Sequence, residues 1–90
     1  MTRPPPDLTA DVLALEALGF LAETDGALED FAAETGITLA EMREQASEPQ
    51  FLAAVMDFLL THEDLARGFC MARSINAESL HRARRRLPGL

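Results

Sequence analysis

Two stretches of this 90-residue chain are apolar at almost every position, LALEALGFLA at 13–22 and FLAAVMDFLL at 51–60, and they lie 38 residues apart. In the first, Val12, Leu15, Leu18, Leu21 and Ala22 recur at helical spacing, while Leu13, Ala17 and Phe20 cover most of the remaining circumference. Only Glu16 and Gly19 interrupt it, and only Asp57 interrupts the second. A helix that is apolar nearly all round has to be enclosed by protein, so the pattern predicts two buried central helices. The same offset of 38 relates Phe20 to Phe58, Leu21 to Leu59 and Phe31 to Phe69, which predicts one three-helix unit used twice.

The remaining helices are predicted from their ends. Thr38 with Glu41 is a capping box, in which the hydroxyl takes an orphan amide and the carboxylate reaches back to the cap residue's own amide. Ile37 and Met42 flank it as a hydrophobic staple, and Asn76 with Ile75 and Leu80 repeats the arrangement 38 residues on. Ser47 with Gln50 is the expected cap of the second central helix, with Pro49 tolerated in its first turn. Thr61 with Asp64, between Leu60 and Leu65, is the expected cap of the next. Gly36 suits the left-handed position after a helix, with Ser74 as a weaker counterpart, and Pro88 and Gly89 stop the last helix.

These signals predict six helices near 9–23, 26–35, 39–46, 49–61, 63–73 and 77–87, with no competing strand pattern. The expected fold class is all-α: a compact six-helix domain of two pseudo-repeated three-helix units around the two buried central helices. Repeats of this length suggest a helical solenoid, but such arrays need at least about three copies, so a closed globule over 9–90 is expected. Residues 1–8 contain Pro4, Pro5 and Pro6 and are expected to form a loose arm. A proline-rich recognition ligand is the sharper alternative there.

Composition changes this picture mainly by exclusion. Hydrophobic residues make up 48% and charged residues 26%, which is ordinary for a folding domain and unlike disorder. All eight basic residues are Arg, which removes lysine Schiff-base and phosphate-loop chemistry. The one cysteine, Cys70, has no partner for an internal disulfide, and with no secretion signal at the N-terminus a cytoplasmic protein is expected. The longest apolar runs are half of the roughly 20 residues that span a bilayer, so no membrane segment is expected.

Candidate chemistry is sparse. His62 falls in the first turn of a helix beginning THED, where it reads as an exposed residue, and His81 lies among arginines. Neither belongs to a nucleophile, base and orienter set, so no catalytic residue, no cofactor and no enzymatic activity is expected. The two histidines and Cys70 lack the spacing of a metal site. Cys70 reads as a small buried hydrophobe beside Phe69. Gly19 and Gly68 sit mid-helix, where glycine costs about 1 kcal/mol relative to alanine; close approach of a neighbouring helix is the expected offset.

Charge supplies the strongest surface signal. Residues 1–72 carry fourteen acids and three arginines, a balance of −11, whereas 73–90 carry five arginines and one acid, a balance of +4. On the last helix Leu80, Ala83 and Leu87 form the expected inward stripe, which puts Arg82, Arg85 and Arg86 together as a candidate interaction face, with Arg84 beside them. Clustered arginines suit phosphate. They equally complement the dipole at a helix C-terminus, and Glu78 can pair with Arg82 one turn away. A net charge of −7 repels a polyanion, so nucleic acid is the second expectation, behind a protein partner. The acidic series Glu23, Asp25, Glu29, Asp30, Glu34, Glu41, Glu44 and Glu48 is a solvated face or a landing surface for a basic partner.

The phrases ALEALGFLA, TGITLAEMREQASEPQFLAAVMDFLL and RARRRLPG, over residues 10–89, resemble an uncharacterised alphaproteobacterial domain-of-unknown-function family of small acidic multihelical proteins. Gly36 to Leu39 and the stretch from Pro49 to Leu60 carry the likeness most specifically. The resemblance implies a multihelical fold with two central helices buried and no established activity to carry over. It also implies, through neighbouring response-regulator genes, a signalling-related protein partner, as yet unidentified. The RARRR ending departs from the family's usual apolar or neutral one. The function expected is that of a small protein-binding adaptor or regulatory module, of oligomeric state not encoded in these patterns.

Overall fold

The computed structural model describes residues 9–88. The prolines of the expected arm and Gly89 lie outside the described residues. Six helices follow one another: α1 (Ala10–Glu23), α2 (Ala27–Thr35), α3 (Leu39–Gln45), α4 (Pro49–Thr61), α5 (Glu63–Arg73) and α6 (Ala77–Arg86). Each begins and ends within one residue of its expected position, and no strand occurs among the described residues. The fold is all-α.

Local chemistry sets most of the ends. Glu41 donates its amide to the Thr38 hydroxyl at 3.1 Å and accepts the Thr38 amide at 2.9 Å, completing the capping box of α3. Asn76 accepts the Ser79 amide at 2.8 Å at the start of α6. Gly36 ends α2 at φ 78°, where a side chain would be strained. Ser74 takes the same left-handed conformation after α5 at φ 55°, without glycine's freedom.

Two expected caps are corrected. Glu48, not Ser47, precedes α4, in an extended conformation with Pro49 as the first helical residue. A proline clashes with a helical residue before it, so the chain becomes extended at Glu48 and the cap falls there. Thr61 does not cap α5; it is still part of α4, and its hydroxyl donates to the Asp57 carbonyl at 2.7 Å. His62 alone joins the two helices, closing α4 and opening α5.

The core is built around α4. Phe51, Leu52, Ala53, Val55, Met56, Phe58 and Leu59 are all buried, around most of that helix, and Gln50, Ala54, Asp57 and Thr61 lie along its more open side. Phe31 of α2 meets Phe51 and Phe58 edge-on, with ring centroids 5.9 and 5.3 Å away, the arrangement that aromatic quadrupoles favour. Phe20 of α1 meets Phe69 of α5 in the same way at 5.6 Å. Helix α6 lies against α1, α4 and α5, burying Leu80 and Ala83, with Leu87 buried just beyond its end; α3 contributes Met42 and otherwise touches the other helices only lightly.

Helix α1 departs from the expected enclosure. Leu13, Ala14, Ala17 and Leu21 are buried, but the opposite side faces outward, with Val12 40% and Leu15 43% exposed. Phe20 is only half-buried, unlike Phe58 at its matching position. At Gly68 the space is taken by a side chain rather than by a neighbouring helix backbone, since a Cβ there would sit 3.2 Å from the tip of the Phe20 ring. At Gly19 nothing lies within 4 Å of where the Cβ would be. Among the described residues no helix lies on the outward side of α1 to make the expected approach.

Candidate functional site

The C-terminal helix is oriented as its pattern requires. Leu80 and Ala83 face the core, Arg85 and Arg86 are exposed, and Arg82 is half-buried. Arg84 turns away from this group. Its Nε and Nη2 donate to the two carboxylate oxygens of Asp57, at 2.5 and 3.1 Å, and its Nη1 reaches the carbonyls of Leu87 and Pro88 at 3.4 and 3.1 Å. This forked pairing stabilises the charged guanidinium and raises the Arg84 pKa above its ordinary value. It also answers the one polar interruption of α4. The arginine row is therefore divided, Arg84 tying α6 to α4 and Arg85 and Arg86 pointing into solvent.

Asp57 lies on the wall of a shallow cleft of about 220 Å³ between α2 and α4, lined by Glu34, Thr35, Ala54, Asp57, Phe58 and Thr61. His62 stands at its edge. Its Nδ1 is 2.8 Å from the Phe58 carbonyl oxygen and its Nε2 is 2.9 Å from Glu34 Oε2, while the imidazole lies over the Phe58 ring with centroids 4.3 Å apart. The bond to the Phe58 carbonyl, aided by the carboxylates of Glu34 and Asp30, raises the His62 pKa above 6.5. His62 is thus a half-buried, fully engaged junction rather than the exposed first-turn residue expected. The reason is the single-residue link between α4 and α5, which draws the ring back onto the preceding turn.

Both pairings join residues far apart in sequence, Asp57 to Arg84 and Glu34 to His62. No local spacing encodes them. Asp57 alone carried a signal: one charge in an otherwise apolar, enclosed helix needs a partner. Cys70 is half-buried against the core, and burial pushes its thiol above the ordinary value, as suits a packing role. His81 is exposed on α6. No group of three or more His, Cys, Asp or Glu side chains able to hold a metal ion occurs among the described residues.

The third surface feature is α1. Val12, Leu15, Gly19 and Ala22 recur at spacings of three, four and three, which places them on one side of the helix. Val12, Leu15 and Ala22 are exposed and Gly19 is half-buried. Arg73 of α5 reaches the edge of this side, bonding Glu16 at 3.0 Å and lying 3.6 Å from Glu23. At the other end the Thr9 hydroxyl donates to Asp11 and holds its carboxyl below the ordinary range. The side is an apolar strip with charged margins, long enough for about three turns of a second helix to lie along it.

No helix of the described residues is long and apolar enough to cross a membrane. No curated protein and no solved structure matches the chain. One family model does, spanning residues 8–90 with all six helices inside it, and by that match the chain belongs to the protein family of unknown function DUF3572.

Proposed function

We propose that this protein is a small cytoplasmic protein-binding module, an adaptor or regulator without catalytic activity, and that it docks through the outward side of α1. The observation that carries this reading is Gly19. Glycine within a helix costs about 1 kcal/mol relative to alanine, and among the described residues nothing lies within 4 Å of where the Gly19 Cβ would be. A partner helix lying on Val12, Leu15, Gly19 and Ala22 would use that space, because a missing Cβ lets two backbones come close. The two exposed branched side chains beside it supply the apolar area that an interface core needs.

Nucleic-acid association through Arg82, Arg85 and Arg86 is the second reading, and the exposure of Arg85 and Arg86 favours it. The commitment of Arg84 to Asp57 removes one cation from that row, and the net charge of −7 opposes a polyanion. Affinity capture of the tagged protein from its host, with and without nuclease and at two salt concentrations, separates the two. A stoichiometric protein that withstands nuclease and moderate salt, and is lost from the Leu15→Gln variant, fits docking on α1. Material lost on nuclease treatment and from an Arg85→Glu, Arg86→Glu variant transfers the function to α6.

A further inference from the structure

His62 is held from both sides by hydrogen-bond acceptors. The Phe58 carbonyl oxygen faces Nδ1 at 2.8 Å and a Glu34 carboxylate oxygen faces Nε2 at 2.9 Å. Neither acceptor has a proton to give, so both ring nitrogens must donate, whereas a neutral imidazole has only one N–H. We propose that His62 is a proton-operated clasp, which in its imidazolium form ties the end of α2 to the junction of α4 and α5 and which lets α2 go when it loses a proton.

The surroundings favour the charged form. The Phe58 carbonyl raises the pKa of the ring most, burial lowers it, and Glu34 and Asp30 of α2 both raise it by smaller amounts. On α4 the nearby Asp57 is taken by Arg84 of α6. Glu63 and Asp64 follow His62 on α5 at exposed positions. The helix dipoles oppose each other here, because His62 stands at the negative end of α4 and at the positive end of α5. The two hydrogen bonds and the α2 carboxylates together outweigh the burial that opposes the charge.

Loss of the proton breaks one tie in particular. A neutral ring keeps its Nδ1–H on the Phe58 carbonyl, a contact one turn back along the same chain, and then presents the Nε2 lone pair to the Glu34 carboxylate. Two lone pairs repel, and Glu34 is exposed enough to turn to water instead. Glu34 also lines the cleft between α2 and α4. The proton on His62 therefore holds one wall of that cleft in place. Because the pKa of His62 is raised, the clasp contributes fully below the ordinary value of 6.5 and its contribution disappears as pH rises through the higher value of the folded protein.

This device is independent of what α1 binds, and its test needs no partner. The full chain is labelled with 13C and 15N and titrated from about pH 5 to 9, across the range in which histidine changes charge, while the His62 ring nitrogens and the amides of Glu34, Thr35 and Gly36 are followed by NMR. Both ring nitrogens are expected at imidazolium shifts at the acid end. The ring midpoint should lie above 6.5, and the three α2 amides should move with that same midpoint. Glu34→Gln should lower the midpoint and uncouple the amides; His62→Gln should abolish their transition while the fold is kept. An unchanged midpoint in Glu34→Gln, α2 amides that ignore the ring, or an α2 transition that survives in His62→Gln would each overturn the clasp.

Discussion

Helices α4 and α1 read almost identically as sequence and behave differently as structure. Both are apolar around most of their circumference with a single acidic interruption, Asp57 in one and Glu16 in the stretch 13–22 of the other. Helix α4 is covered over most of its circumference by α1, α2, α5 and α6, and its acid is paired with Arg84. Among the described residues helix α1 is covered on one side, and its acid lies at the surface with Arg73. An apolar circumference reports that a helix can be enclosed; how many neighbours the chain has left to enclose it is a question of topology. The other five short helices suffice to cover most of one central helix in this chain.

The largest way to break that comparison is to remove the matching phenylalanines. Phe58 is 4% exposed, meets the Phe31 ring edge-on and carries the His62 imidazole on its face. Phe58→Ala should cost about 3–5 kcal/mol, a large share of the 5–15 kcal/mol available to a domain of this kind. Phe20→Ala removes a half-buried ring with one aromatic neighbour and should cost about 1.5–3 kcal/mol, less than full burial would imply. Urea denaturation of both variants measures the difference. Equal losses would mean that α1 is as enclosed in solution as α4.

Glycine substitutions sharpen the same contrast with smaller effects. At Gly19 the way is open, so Gly19→Ala should stabilise the isolated protein by about 0.5–1 kcal/mol, the intrinsic helix preference. At Gly68 the same change brings a Cβ to 3.2 Å from Cζ of Phe20. The ring must shift there, and the helix preference of about 1 kcal/mol is offset by that displacement, leaving a smaller gain than at Gly19 or a loss. Thermal melts of the two variants should therefore separate, with Gly19→Ala the higher. A fall in melting temperature for Gly19→Ala would show that the outward side of α1 is already covered in the purified protein.

What was legible in the sequence follows the range of the interactions involved. The capping box at Thr38, the Asn76 cap and the left-handed residues Gly36 and Ser74 are set within four residues of chain, and they fall where the pattern puts them. Ser47 and Thr61 failed because a neighbour overrode them: Pro49 forces Glu48 out of the helical region, and a one-residue link gives the α5 cap position to His62. The inward stripe of α6 was legible from periodicity, and the fate of Arg84 was not, because Asp57 lies 27 residues away. The candidate site was least legible of all. Neither the His62 to Glu34 contact nor the bare side of α1 leaves a trace in local spacing, and both arise from which helices end up adjacent.

The smallest effect on stability belongs to the substitution that tests most of the functional reading. Leu15 lies 43% exposed on α1, while Leu59 is fully buried on α4. Glutamine has nearly the helix preference of leucine, so Leu15→Gln should change stability by no more than about 0.5 kcal/mol. At Leu59 the same exchange places an amide among apolar side chains and costs about 2–5 kcal/mol from the lost leucine contacts and the unpaired polar group. If Leu15 serves a partner, Leu15→Gln folds as the parent does and fails to retain that partner. If it serves this chain's own core, the variant melts early and the loss of binding follows from unfolding. The ratio of the two effects at one residue thus separates an interface from a core on a helix whose sequence looks like both.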